Sequence, residues 1–182
     1  MSDIKLPEVW LRGPLENVPG LLQPAAHALL QANEEIEELL KDFDASLLWK
    51  RPAGLASVAF HLQHIAGVQD RLFTYAKSQM LTEQQLEYLE NEGKENDVIS
   101  LKYLLKNLDD QTQKSIEQLK QTDIHTLTEI RYVGRKKIPT TVMGLLFHSA
   151  EHTMRHTGQL LVTIKILTSP QPLSKGEGQE PH

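Results

Sequence analysis

A chain of 182 residues is about one domain's worth and is long enough to bury a real hydrophobic core. Apolar residues at 40% and charged residues at 24% are ordinary globular proportions, and no apolar run reaches the length that spans a membrane. The absence of cysteine excludes disulfides, thiolate ligands and a cysteine nucleophile, and a net charge of −5 argues against a general nucleic-acid binder, which needs a basic face for phosphates.

Met1-Ser2-Asp3-Ile4-Lys5 has neither a basic n-region nor an apolar h-region, so a cytoplasmic location is expected. The first long helix is predicted over roughly Leu21 to Phe43. Pro24 suits its first turn, and Leu29, Leu30, Ile36, Leu39 and Leu40 recur at helical spacing with Glu34, Glu35, Glu37 and Glu38 on the outer side. Leu48, Trp49 and Pro52 follow in a connector. Ser57 is the expected N-cap of a second helix, roughly Val58 to Lys77. Thr82, with Gln85 three residues on, reads as the capping box of a short extra helix ending near Gly93.

A third long helix, about Val98 to Lys120, rests on Ile99, Leu101, Leu104, Leu105, Leu108, Ile116 and Leu119. Thr126 to Thr140, with Gly134 and Pro139, suits a small hairpin. Its basic run, Arg131, Arg135, Lys136 and Lys137, reads as a solvated loop in preference to an anion site. Thr140 or Thr141 caps a fourth helix that continues to about Leu167. Beyond Ser169, the prolines and glycines Pro170, Pro172, Gly176, Gly178 and Pro181 predict a disordered tail, which places one domain at 1–168 and the tail at 169–182.

The fold class is therefore all-α, a four-helix bundle with a short extra helix and a small hairpin. The link of about twenty residues between the second and third long helices exceeds what antiparallel neighbours need. It permits a crossover between parallel helices, so an up-down-down-up order is allowed.

Histidine carries the chemistry. Five of the eight histidines fall in two helical stretches, His61 and His64 in the second helix and His148, His152 and His156 in the last. Helical residues four apart face the same way, with Cβ atoms about 6 Å apart, so two imidazoles can converge on one ion. His148 and His156 are separated by about 12 Å of helix rise and cannot share it. The last helix thus offers His148 with His152, or His152 with His156. On a helical wheel His152 and His156 lie with Leu145, Leu160 and Thr163, whereas His148 falls at the edge. Two imidazoles on an apolar face need partners for their ring nitrogens, and one ion satisfies both. On the second helix periodicity favours His61 over His64 as the third ligand. His-Glu-x-x-His is absent, and neither histidine-bearing helix carries the Glu-x-x-His of a di-iron bundle, which leaves a mononuclear, histidine-rich site.

Ser57 followed by His64-Ile65-Ala66, then His152-x-x-x-His156-Thr157-Gly158-Gln159, with Leu48-Trp49-Lys50-Arg51-Pro52 before the second helix, resembles the DinB/YfiT-like superfamily of metalloenzymes. The resemblance runs from about Leu21 to Leu167. It implies an up-down-down-up bundle holding one divalent ion on three histidines, carried over here to His64, His152 and His156, with His61 left to core packing or to support of a ligand. The family usually has arginine or tyrosine around His156-Thr157, and threonine here departs from that pattern. Some relatives are thiol-dependent transferases or isomerases, and others have been labelled metal-dependent hydrolases.

The expectation that follows is a transferase or isomerase acting on a small-molecule substrate, with one divalent metal ion per chain (Zn, Ni, Fe or Mn) and a low-molecular-weight thiol activated on it. A hydrolase using water, or a non-catalytic metal-binding or small-molecule-binding bundle, are the alternatives. Glu151 and Asp70 are weak candidates for a general base. Arg131, Arg135 and Lys136 are weak candidates for meeting an anionic group. No nucleic-acid or membrane partner is expected, and Ala25, Ala26 and Ala32 suggest a small-residue face for a homodimer.

Overall fold

In the computed structural model, which describes residues 6–169, five α-helices and one hairpin follow each other along the chain. Helix α1 spans Gln23–Leu40, with Pro24 in its first turn. Helix α2, Val58–Ala76, begins where the Ser57 hydroxyl accepts the Phe60 N–H at 3.1 Å. The short α3, Glu83–Asn91, carries the reciprocal capping box of Thr82 and Gln85. Helix α4, Leu101–Lys120, is capped by Ser100 and so starts later than the apolar pattern suggests, leaving Val98 88% exposed outside it. Strands β1, Ile130–Val133, and β2, Ile138–Thr141, pair antiparallel with Val133 opposite Ile138. Thr141 then caps α5, Val142–Thr168, by accepting the Gly144 N–H.

Helix directions follow from which residues meet. Gln69 of α2 bonds Thr112 and Ser115 of α4, and Gln118 reaches the Phe73 carbonyl one level further on, so these helices run parallel. His61 meets His156 and His64 meets His152, which makes α2 and α5 antiparallel. Asn33 of α1 bonds Asp109 of α4, with Leu29 packed at the level of Ile116 and Leu119 and Ile36 at that of Leu104 and Leu108. Helix α1 therefore runs against α4 and alongside α5. The order is up-down-down-up, and the crossover that carries α3 joins the two parallel helices.

The core forms two apolar clusters. One gathers Leu22, Ala26, Leu29, Leu119, Leu145 and Leu146, and the other Ile36, Leu62, Ile65, Leu104, Leu108 and Leu160. On α5 the buried apolar positions stop at Ala150 and resume at Leu160, and His152, Thr153, His156 and Thr157 lie between them. Ala25, Ala26 and Ala32, read above as a self-association face, are buried within the bundle. Their small side chains let α1 approach its neighbours, so they carry no argument for a dimer. Arg131 is not simply a solvated loop residue either. It donates to the Ala76 carbonyl at the end of α2 and pairs with Glu129 at 2.8 Å, while Arg135, Lys136 and Lys137 are exposed at the hairpin turn. No helix among the described residues is long and apolar enough to cross a membrane. The tail expected beyond Ser169 lies outside the described residues.

Candidate metal centre

Antiparallel packing of α2 on α5 brings the two histidine stretches face to face. His64, His152 and His156 each place a ring nitrogen within 4.8 Å of the others. The Nε2 atoms of His64 and His152 are 3.0 Å apart, and the rings of His152 and His156 lie 4.6 Å apart between centroids. Two nitrogens bound to one ion at about 2.0–2.1 Å each sit about 3 Å from one another, so this spacing fits a shared cation. Imidazole is a suitable donor for Zn, Ni and Fe alike. The triad could hold a metal ion, and the fit is good on both spacing and donor chemistry.

His61 lies deeper, only 3% exposed, with its Nδ1 3.1 Å from His156 Nδ1. One of the two rings donates its N–H to the other, so His61 supports His156 from the core side. Periodicity located the more buried histidine, but the convergent nitrogens belong to the ring on the flank, where α2 faces both α5 and the crossover. His148 is exposed and pairs with Glu151 at 2.8 Å. His148, Glu151 and His152 also bring ligand atoms within 4.8 Å of one another, but the Glu151 carboxylate is already held by both His148 and Arg155. Burial, and then the neighbouring His64, lower the pKa of His61 and of His152 to about 4 and that of His156 to about 3. All three rings are neutral at pH 7, the state a metal ligand requires.

One residue at this site escapes the sequence motifs. Glu92, just past α3, accepts from His64 Nδ1 at 2.7 Å through one oxygen and pairs with Arg71 at 2.6 Å through the other. Its side chain is only 4% exposed. The sequence does hold one trace of it. Gly67 interrupts an otherwise ordinary helix, and a Cβ there would lie 2.6 Å from the Arg71 guanidinium and 2.8 Å from the Tyr88 ring. An isolated glycine within a helical pattern marks such a close approach. Phe60 stacks on His64 with centroids 5.1 Å apart, and Gly93, at φ +78°, turns against the Phe60 ring.

The other candidates lie elsewhere. Asp70 accepts from Gln85 of α3 at 2.8 Å and ties that helix to α2. Thr157, at the family's arginine or tyrosine position, is 3% exposed and donates back to the Thr153 carbonyl, so it faces the core.

A family model described as the DinB superfamily matches residues 28–160. The chain belongs to the DinB superfamily. Its fold is similar to that of a conserved protein from Enterococcus faecalis known from a crystal structure, with a TM-score of 0.65 and 18% identity over 79% of this chain and 95% of that one. No curated protein matches the sequence.

Proposed function

We propose that this chain is a metal-dependent enzyme in which His64, His152 and His156 hold one divalent ion, and that it acts as a thiol-dependent transferase or isomerase on a small-molecule substrate. The observation that carries the reading is the convergence of three ring nitrogens within 4.8 Å at a half-buried position. Structural sites are coordinatively closed, whereas three protein ligands leave a position for a reactant. A bound ion supplies Lewis acidity, which lowers the pKa of a coordinating thiol or water.

The chain's own residues favour the thiol over water. Both oxygens of Glu92 are engaged, by His64 and Arg71, and Glu151 is engaged by Arg155 and His148. Neither carboxylate is free to take a proton from water. A thiol ionises near pH 8.5 unaided and needs less help to become a nucleophile. Phe60, stacked on His64, covers that ring and keeps water from one of its faces.

The test is a screen of small thiols paired with electrophilic substrates on protein loaded with Zn, Ni, Fe or Mn. Turnover that needs both metal and thiol supports the reading. Ester or amide hydrolysis without thiol would replace it with the hydrolase, and tight metal binding with no turnover on any pair would favour a structural ion.

A further inference from the structure

The crossover between the parallel helices is fastened to α2 around one histidine. Tyr88 donates its hydroxyl to the Gln63 carbonyl at 3.1 Å, and the Gly93 N–H donates to Gln63 Oε1 at 2.8 Å. Between these two anchors Glu92 reaches inward to His64 and Arg71. Gly67 leaves the room that the carboxylate and guanidinium fill, and Gly93 packs against the same Phe60 ring that stacks on His64. Every anchor falls on the stretch of α2 from Phe60 to Arg71, about three turns centred near His64.

We infer that Glu92 is a positioning residue for His64: its carboxylate holds the ring proton on Nδ1 and so presents the Nε2 lone pair to the ion, with Arg71 fixing the carboxylate in turn. The inference rests on the metal reading above. An imidazole has one proton to place. A buried carboxylate 2.7 Å from Nδ1 can only accept, so that nitrogen carries the hydrogen. The other nitrogen, Nε2, is the one 3.0 Å from His152. A partner of this kind fixes ring orientation as well as tautomer, and it raises the basicity of the ligand. The crossover thus delivers a group that neither histidine stretch contains.

The experiment compares the full-length protein with Glu92→Gln and with the double variant Glu92→Gln/Arg71→Met, which leaves no unpaired buried guanidinium if the single variant folds poorly. A glutamine amide can turn either its oxygen or its N–H toward Nδ1, so it no longer imposes a tautomer. Two quantities are read: the His64 tautomer by nitrogen NMR on chelated protein, and Zn affinity by competition with a chromophoric chelator. The unaltered protein should show the proton on Nδ1. The variants should lose that preference and bind Zn ten- to a hundredfold more weakly, the range typical when such a partner is removed. A proton on Nε2 in the unaltered protein, or variants that keep both the tautomer and the Zn affinity, would overturn the inference. If the unaltered protein takes up no ion, the metal reading fails, and the tautomer measurement still decides the role of Glu92.

Discussion

His61, His152 and His156 are held neutral mainly because burial penalises their charged forms, and the crowding of a further proton against the neighbouring His64 ring, and against the Arg155 guanidinium for His152 and His156, deepens the effect. In an unfolded chain each ring takes up a proton near pH 6.5, whereas in the folded protein it does so only near pH 4 for His61 and His152 and near pH 3 for His156. Between those values the unfolded state binds more protons, so acid favours unfolding. Stability from these groups is complete above about pH 6.5 and is lost progressively as the pH falls toward the folded values. The chelated protein should therefore show a thermal midpoint that drops between pH 7 and pH 5, before most carboxylates begin to titrate. A midpoint flat across that window would mean that the rings are not desolvated as described. His152 and His156 were legible as a pair because both the i, i+4 spacing and the apolar face are properties of one helix. His64 needed the family pattern, because whether a flank position meets another helix depends on packing that a wheel does not contain.

At the scale of elements, local chemistry predicted the starts well. Ser57, the Thr82–Gln85 box and Thr141 cap their helices by hydrogen bonds that the sequence alone suggests. The third long helix shows why apolar periodicity misplaces a boundary: Ile99 is partly buried against the core, yet Ser100 is the cap. The role of the crossover was not legible, because Glu92 acts through contacts with residues more than twenty positions away. Gly67→Ala tests that packing. Alanine gains about 0.5–1 kcal/mol over glycine inside a helix, but its methyl group would displace the Arg71–Glu92 pair and the Tyr88 ring, and overpacking typically costs about 1–3 kcal/mol. The variant should be less stable on denaturant unfolding and should bind Zn more weakly. Greater stability with unchanged Zn affinity would show that the crossover does not press on α2 at this point.

The up-down-down-up order makes the site a property of the whole molecule, since it sets α2 against α5 in opposite directions so that His64 meets His152. The three proposed ligands come from two helices far apart in sequence, so an ion held on them would bind the folded chain and stabilise it. At a free concentration a hundred times Kd, that linkage is worth about 2.7 kcal/mol, which for a domain of this size raises the thermal midpoint by about 5–10 °C. Chelation should reverse the rise, and a midpoint indifferent to metal and chelator would show that the ion binds the unfolded chain equally well or not at all. The central claim is that one ion sits on His64, His152 and His156. Elemental analysis of the purified, metal-loaded protein beside its single alanine variants tests it most directly. The account predicts about one ion per chain in the unaltered protein, severe loss in His64→Ala, His152→Ala and His156→Ala, and retention in His148→Ala and in His61→Ala, whose affinity falls by no more than about ten- to a hundredfold. Two tightly held ions per chain, or an ion that survives His64→Ala and disappears in His61→Ala, would contradict it.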